Sequence, residues 1–144
     1  MKRHEALAPL SRDHHGSLIL AQLLKKGTPE YKGLPADNAG KLKYAMQQFE
    51  QHIKKHFEQE ENILKKAANC NEAISRLGDE IVYEHEQLVT LFLSLEKEAD
   101  PEAAMDKLGR LLETHIRKEE RSLFPLMQQY CPESILQQIH KELH

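Results

Sequence analysis

Two histidine–glutamate pairs occur at the same spacing in different parts of the chain. Glu60 follows His56 by four residues, and Glu119 follows His115 by four residues. In an α-helix, residues four apart lie on one face, about 6 Å apart along the axis. Imidazole nitrogens and carboxylate oxygens at this separation form a donor set that suits transition metals such as iron. The chemistry that these residue types and this spacing predict is therefore metal binding.

Both pairs lie on apolar faces, where a soluble protein places its core. The first pair shares a stripe with Phe49, Ile53, Ile63 and Leu64, and the second shares one with Leu108, Leu111, Leu112 and Leu123. His85 is placed inward in the same way by Ile81 and Leu88. Buried imidazole and carboxylate groups are unfavourable without partners, and a metal cation would satisfy all of them together.

A further histidine comes from the first helical segment, where two adjacent residues compete for the role. His15 precedes Leu18 by three residues, so apolar spacing favours His15 over His14, although the choice is close to even. His52, one turn before His56, could supply a fifth histidine, and a partly exposed structural role fits it equally well. The candidate metal-binding residues are His14, His15, His56, Glu60, His85, His115 and Glu119.

The segments around the two pairs also repeat each other locally. The first reads HFEQEENIL from His56, and the second reads HIRKEERSLF from His115. This likeness indicates an internal two-fold in the site, with each glutamate placed to bridge two metal ions. The neighbouring acidic residues are predicted to lie on outward faces as solvated charge; they are Glu61, Glu84, Glu86 and Glu120.

Four long amphipathic helices must position these side chains. Proline and glycine mark the connections: a long one reads KGTPEYKGLPADNAG, a short polar one reads KKAANCNEA, and Asp100-Pro101 is typical of a helix start. No alternating strand pattern competes with the helical periodicity. The predicted fold is all-α, an up-down-up-down four-helix bundle in a single domain over residues 1–144, with a short extra C-terminal helix from about Pro132.

Composition and short motifs exclude several other classes of function. The formal net charge is −3, so nucleic acid is not an expected partner. The N-terminus lacks the apolar run of a signal peptide and no segment is long enough to span a membrane, so a cytoplasmic location is expected by elimination. The Glu-x-x-His spacing of ferritin-like sites, the H-E-x-x-H motif and glycine-rich phosphate loops are all absent. Cys70 and Cys131 are predicted to be ordinary reduced thiols.

The arrangement of these motifs resembles the hemerythrin-like, HHE cation-binding family over nearly the whole chain. The pieces that carry the resemblance are DHH, HFEQEE, YEHEQL and HIRKEERSLFPLM, one on each predicted helix. The resemblance implies two iron ions joined by oxo and carboxylate bridges, although zinc or manganese also suits parts of the donor set. By the same resemblance, the histidine ligands are His15, His56, His85 and His115, and the bridging carboxylates are Glu60 and Glu119.

Two departures from oxygen-carrying hemerythrins affect what the resemblance implies. Those proteins carry two histidines one turn apart on the third helix, whereas His85 is flanked here by Ile81 and Val89. They also use His-x4-Asp on the last helix, where this chain has His-x3-Glu. Of about twelve positions on two octahedral ions, four histidines, two bridging carboxylates and one oxo bridge fill about ten, which leaves about two positions open.

Three functions follow as expectations. The first is binding of O2 or NO at an open iron position, in a carrier, scavenger, sensor or stress-protection role. The second is a di-iron oxidoreductase that acts on peroxide or NO, or a protein that donates iron for the repair of damaged iron centres. The third is a bundle without metal, in which His56→Ala and Glu60→Ala would be tolerated because they remove buried polar groups. The sequence identifies no protein partner.

Overall fold

The computed structural model of the chain describes residues 2–144, which form five helices and no β-strand. Helix α1 spans Ala8–Leu24. Helix α2 runs on through Asn38–Gln48, a π-helical turn at Phe49–Ile53, and Lys54–Ala67. Helix α3 spans Glu72–Ser94 and ends in a 3₁₀ turn at Leu95–Lys97. Helix α4 runs through Pro101–Lys118, a second π-helical turn at Glu119–Leu123, and Phe124–Tyr130, and α5 spans Glu133–Leu143.

The four long helices pack as an up-down-up-down bundle, and the short fifth helix covers one end. Helix α1 lies along the first part of α4, and α5 packs against the second half of α2. The predicted all-α bundle with an extra C-terminal helix is confirmed. None of the helices within residues 2–144 is long and apolar enough to cross a membrane.

The helix boundaries follow the local signals in the sequence. The Asp100 side chain accepts a hydrogen bond from the Ala103 amide at 3.0 Å, and Pro101 occupies the first helical position. Asn71 caps α3 in the same way, accepting from the Ala73 amide at 2.8 Å. The predicted long connection is present, since residues 25–37 contain no helix. These caps satisfy amide donors that have no partner in the first turn of a helix.

The core consists of two apolar clusters separated by a polar layer. On every long helix, one of the buried polar residues lies between a member of one cluster and a member of the other. His14 lies between Leu10 and Leu20, and His85 lies between Ile81 and Leu88. The bundle therefore holds its imidazoles and carboxylates at mid-height, with apolar packing above and below.

The two π-helical turns were not predicted from the sequence, and they explain an unusual spacing of buried residues. Ala45, Phe49 and Ile53 are all buried at intervals of four. Two turns of α-helix take about seven residues, so this spacing would drift off the inner face of a regular helix. The wider π-helical turn takes the extra residue and keeps the inner face aligned as far as His56.

One close approach of helix backbones also depends on a particular residue. A Cβ atom added at Gly109 would lie 2.7 Å from the backbone oxygen of Ala21. Only glycine allows α1 and α4 to come this close. The contact brings α1, which carries His14, onto the helix that carries His115 and Glu119.

Candidate metal centre

Six polar side chains are buried together at the middle of the bundle. Their exposed fractions lie between 0% for Glu119 and 5% for His56. They come from all four long helices and are His14 from α1, His56 and Glu60 from α2, His85 from α3, and His115 and Glu119 from α4. Each His-x-x-x-Glu pair is thus completed by one histidine from a different helix.

The first half of the cluster gathers around His14 and His56. Their Nε2 atoms lie 3.1 Å apart. The His14 Nε2 atom is also 3.6 Å from Glu60 Oε2 and 3.7 Å from Glu119 Oε1. His56 Nε2 is 3.2 Å from Glu60 Oε1.

The second half gathers around His85 and His115 and uses the same two carboxylates. His85 Nε2 lies 3.1 Å from Glu60 Oε1, and His115 Nε2 lies 2.7 Å from Glu119 Oε1. Each half therefore offers one ligand atom from each of four residues, and within a half these atoms all lie within 4.8 Å of one another. Because Glu60 and Glu119 belong to both halves, the geometry is that of two adjacent cation positions that share two carboxylates.

Several of these buried atoms lack a hydrogen-bond partner. Within residues 2–144, none is found for Glu60 Oε2, for either carboxylate oxygen of Glu119, or for His115 Nε2. The short distance between His115 Nε2 and Glu119 Oε1 does not change this, because the two atoms lack hydrogen-bond geometry. Unpaired buried acceptors cost about 1–3 kcal/mol each. Buried polar atoms that converge without a hydrogen-bond partner fit a bound cation, and mixed imidazole and carboxylate donors suit iron, manganese or zinc.

A second layer of carboxylates holds the outer nitrogen of every histidine. The contacts are His14 Nδ1 to Glu120 at 2.8 Å, His56 Nδ1 to Asp13 at 3.0 Å, His85 Nδ1 to Glu61 at 2.9 Å and His115 Nδ1 to Glu84 at 2.7 Å. An Nδ1–H that donates to a carboxylate leaves Nε2 free to bind a metal and fixes the plane of the ring. All four imidazoles are thus oriented with Nε2 toward the centre.

The electrostatics of the cluster without metal favour protons on part of it. Burial alone would lower the pKa of His56, but Glu60 and Asp13 raise it to about 10. Burial would raise the pKa of Glu60, yet the surrounding histidines hold it well below its usual range. The pKa of His115 is lowered, because burial outweighs its hydrogen bond to Glu84. The cluster holds negative carboxylates that attract protons when no other cation is bound.

Two aromatic rings pack on the histidines from within the core. Phe57 stacks on His85 with ring centroids 4.0 Å apart, and Phe124 stacks on His14 at 5.7 Å with planes 7° apart. These contacts limit rotation of the imidazoles and keep water away from their faces.

The sequence motifs and this geometry agree with a match to a protein-family model. The model of the hemerythrin HHE cation binding domain matches residues 6–127. The chain belongs to this family. No curated protein and no solved structure matches the chain.

The region that matches the hemerythrin HHE domain contains the whole buried cluster. It begins just before α1 and ends within the last segment of α4, so α5 lies outside it. Six of the seven predicted residues come together in the structure. They are His14, His56, Glu60, His85, His115 and Glu119.

The predicted preference for His15 over His14 was wrong. His14 is 2% exposed and faces the other histidines, whereas His15 is exposed on the surface of the bundle. The expectation relied on Leu18, which is only half-buried. The inward face of α1 instead follows Leu10, His14 and Ala21 at helical intervals.

The remaining histidine candidate also lies outside the cluster. His52 is exposed and lines a surface cleft beside Asp13 and His56. Its position fits the structural reading that the sequence left open.

The second-layer carboxylates were missed by the sequence analysis. Glu61, Glu84 and Glu120 had been predicted to be solvated charge, but each contacts a histidine on a neighbouring helix. Only Glu86 is exposed as predicted. The sequence did carry a signal for two of these contacts, namely the adjacent glutamates at positions 60–61 and 119–120. Successive residues of a helix point about 100° apart, so one glutamate can face the centre of the bundle while the next contacts a neighbouring helix.

Proposed function

We propose that this hemerythrin HHE domain binds two iron ions side by side and uses them to bind O2 or NO. The observation that carries the proposal is the pair of four-residue clusters that share Glu60 and Glu119. A carrier, scavenger, sensor or stress-protection role is consistent with such a centre.

In this proposal, the two ions take different histidines and the same carboxylates. His14 and His56 would hold one ion, His85 and His115 would hold the other, and Glu60 and Glu119 would serve both positions. Each ion then receives four donors from the protein. Since iron prefers about six, positions remain for small ligands. Zinc or manganese would accept the same donors, so the identity of the metal is part of the proposal.

A ferrous pair held by these residues would supply two electrons to a bound small ligand. The side chains control access and environment. Apolar clusters on both sides exclude water, and the four Nδ1–carboxylate contacts hold the imidazoles in place. A cavity of about 110 Å³ lined by Leu88, Leu111 and Thr114 reaches His115, and a cleft of about 250 Å³ lined by Gly16 and Ser17 reaches His56. Both are large enough for a diatomic molecule.

A second candidate function is a di-iron oxidoreductase that acts on peroxide or NO, or an iron donor for damaged iron centres. The observation that favours it is the short ligand list, because four histidines leave more open positions than an oxygen carrier keeps. Consumption of peroxide or NO by the iron-loaded protein would support this class. Reversible oxygenation without consumption would support the first.

The first test is iron content and visible absorption of protein produced in iron-supplemented medium. We expect about two irons per chain, as the two clusters allow, with visible bands that bleach with dithionite and return in air. Protein that takes up no iron, or only zinc with a featureless spectrum, would overturn the proposed O2 or NO chemistry.

The ligand set is tested separately with His56→Ala and Glu60→Ala, using Glu58→Ala on the exposed face of α2 as the matched control. We expect both cluster variants to lose bound iron and the thermal stability that comes with it, because metal binding is coupled to folding. Unchanged iron content in both would overturn the proposed ligand set.

A further inference from the structure

A residue outside the four long helices reaches the edge of the cluster. Arg3 lies in the segment before α1, and its guanidinium contacts the π-helical turn of α4. Its Nη2 donates to the backbone oxygen of Glu120 at 2.9 Å and lies 3.4 Å from Glu120 Oε1. Its Nη1 donates to Gln128 Oε1 at 3.1 Å. Gln128 in turn donates to the backbone oxygen of Lys2 at 3.0 Å and accepts from the backbone amide of His4 at 2.9 Å, so the segment is anchored on both sides of Arg3.

The backbone oxygen that Arg3 binds is one that the π-helical turn deprives of its usual partner. In a regular helix, the Glu120 oxygen would accept from the amide of Phe124. That amide donates instead to Glu119, one residue earlier. The next residue, Pro125, has no amide hydrogen to offer. Arg3 therefore satisfies a carbonyl that the wide turn leaves open.

The side chain of Glu120 joins this contact to the first half of the cluster. Its carboxylate accepts hydrogen bonds from Ser11 Oγ at 2.9 and 3.1 Å, and it contacts His14 Nδ1 at 2.8 Å. The Arg3 guanidinium also lies 5.3 Å from the centre of the Phe124 ring, and that ring stacks on His14. Arg3 thus reaches His14 by two routes, through Glu120 and through Phe124.

The other half of the cluster has a corresponding cation on a different element. Lys118 donates to the carboxylate of Glu84, and Glu84 contacts His115 Nδ1. Each half therefore contains one series of contacts that runs from a cation through a carboxylate to an imidazole. The two series share no residue, because Arg3 acts on His14 and Lys118 acts on His115.

We infer that Arg3 is a positioning residue for the metal ion held by His14 and His56, and that Lys118 plays the same part for the ion held by His85 and His115. This inference rests on the proposed two-metal centre. Each ion depends on its own outer cation, so removing one of these cations loosens one ion and leaves the other in place.

The experiment uses cobalt(II) as the probe, because its visible absorption reports coordination directly. The full chain is loaded with cobalt, and release to excess EDTA is followed for the wild type, Arg3→Met and Lys118→Met. Arg110→Met is the matched control, since Arg110 is exposed and, among residues 2–144, forms a salt bridge only with Asp106 on its own helix. Loss of an outer contact typically lowers metal affinity by about 10–100-fold. In each single variant we expect one of two equivalents to leave about tenfold sooner and the other to keep the wild-type rate.

The double variant tests whether the two cations act on different ions. In Arg3→Met/Lys118→Met, both equivalents are expected to leave fast, whereas two cations acting on the same ion would leave one equivalent slow. Arg3→Lys keeps the charge but not the two-pronged contact, so an intermediate release rate is expected, and it replaces Arg3→Met if that variant does not fold.

Two outcomes would overturn this inference without affecting the proposed metal centre. One is that both cobalt equivalents leave Arg3→Met at the wild-type rate. The other is equal acceleration of both equivalents together with a lower unfolding temperature of the metal-free protein, which would give Arg3 a purely structural role. A wild-type chain that takes up no cobalt would overturn the proposed metal centre itself, and with it this assignment.

Discussion

Each histidine of the buried cluster uses its two ring nitrogens for different purposes. Nε2 faces the shared carboxylates, while Nδ1 faces a carboxylate on another helix, as for His85 with Glu61 of α2 and for His56 with Asp13 of α1. The residue type alone does not give this division. It follows from the phase of the helix, which decides whether a side chain points toward the axis of the bundle.

The first prediction at this scale concerns the two adjacent histidines of α1. His14→Ala is expected to lower the bound metal from about two ions per chain toward one, because it removes an inward Nε2 donor. His15→Ala is expected to leave the metal content unchanged, because His15 is exposed. Elemental analysis of both purified variants checks this, and equal loss in the two would contradict the assignment of His14.

The second prediction concerns an outer carboxylate. Glu61→Gln keeps a hydrogen-bond acceptor for His85 but removes the charge that strengthens the imidazole as a donor. We expect a loss of metal affinity of about tenfold. Competition with a chromogenic chelator measures this, and Glu58→Gln, at an exposed position of the same helix, is the control. A Glu61→Gln protein that binds metal as tightly as the control would show that the outer contact does not matter.

How much of the site could be predicted depended on the range of the interaction. The two His-x-x-x-Glu pairs are local, so helical spacing was enough to identify them. His14 and His15 are neighbours, and spacing from the half-buried Leu18 gave the wrong helical phase. The contact between Glu120 and His14 joins α4 to α1, and nothing in the local sequence specifies which helices become neighbours.

The helices combine predictable ends with unpredicted interiors. Proline, glycine and capping residues located the connections, and the Asp100 cap was present as expected. The two π-helical turns escaped detection because they change the period of the apolar pattern by only one residue. Both lie next to the cluster, one just before His56 and one beginning at Glu119, as is frequent for π-helical turns at functional sites.

The prediction at the scale of elements concerns the approach of α1 to α4. Gly109→Ala is expected to destabilise the fold by about 1–3 kcal/mol, since the added methyl group collides with the Ala21 backbone. Gly16→Ala is the control, because no described atom lies within 4 Å of its Cβ position, and helix propensity predicts a gain of about 0.5–1 kcal/mol. Urea unfolding of the metal-free proteins measures both. Destabilisation of similar size in the two variants would contradict the close approach.

At the scale of the whole molecule, the buried polar layer interrupts a core that is otherwise apolar. The layer joins all four long helices, and each of its halves draws ligand atoms from three of them, so two bound cations would together contact every long helix. The fold therefore places histidine and glutamate side chains where an ordinary bundle would place leucine.

Removal of metal is accordingly expected to lower the unfolding temperature. At a free metal concentration about 1,000 times Kd, binding adds about 4 kcal/mol to the free energy of unfolding. Thermal unfolding followed by circular dichroism, with and without EDTA, measures the change. The Glu60→Ala protein is expected to show little response to EDTA, and a full response in that variant would place the stabilising metal elsewhere.

Metal binding is also expected to release protons. In the metal-free protein the pKa of His56 is raised to about 10 by Glu60 and Asp13, which outweigh its burial, so this imidazole is protonated at neutral pH. A metal binds only the neutral form, so its apparent affinity rises as the pH rises and falls as the pH falls. Calorimetry at pH 7 in two buffers of different ionisation enthalpy counts the protons. A count of zero would contradict the raised pKa.

The outer carboxylates and the cations that hold two of them allow the charge of the centre to be counted. The six carboxylates are Asp13, Glu60, Glu61, Glu84, Glu119 and Glu120, and the two cations are Arg3 and Lys118. Together they leave four negative charges, which the two divalent ions of the proposed centre would cancel. Withdrawing an electron from such a centre would leave an excess positive charge in an interior that solvates it poorly. Under the proposal, oxidation is therefore expected to be accompanied by loss of a proton or arrival of an anion. For one proton per electron, the reduction potential falls by about 59 mV per pH unit.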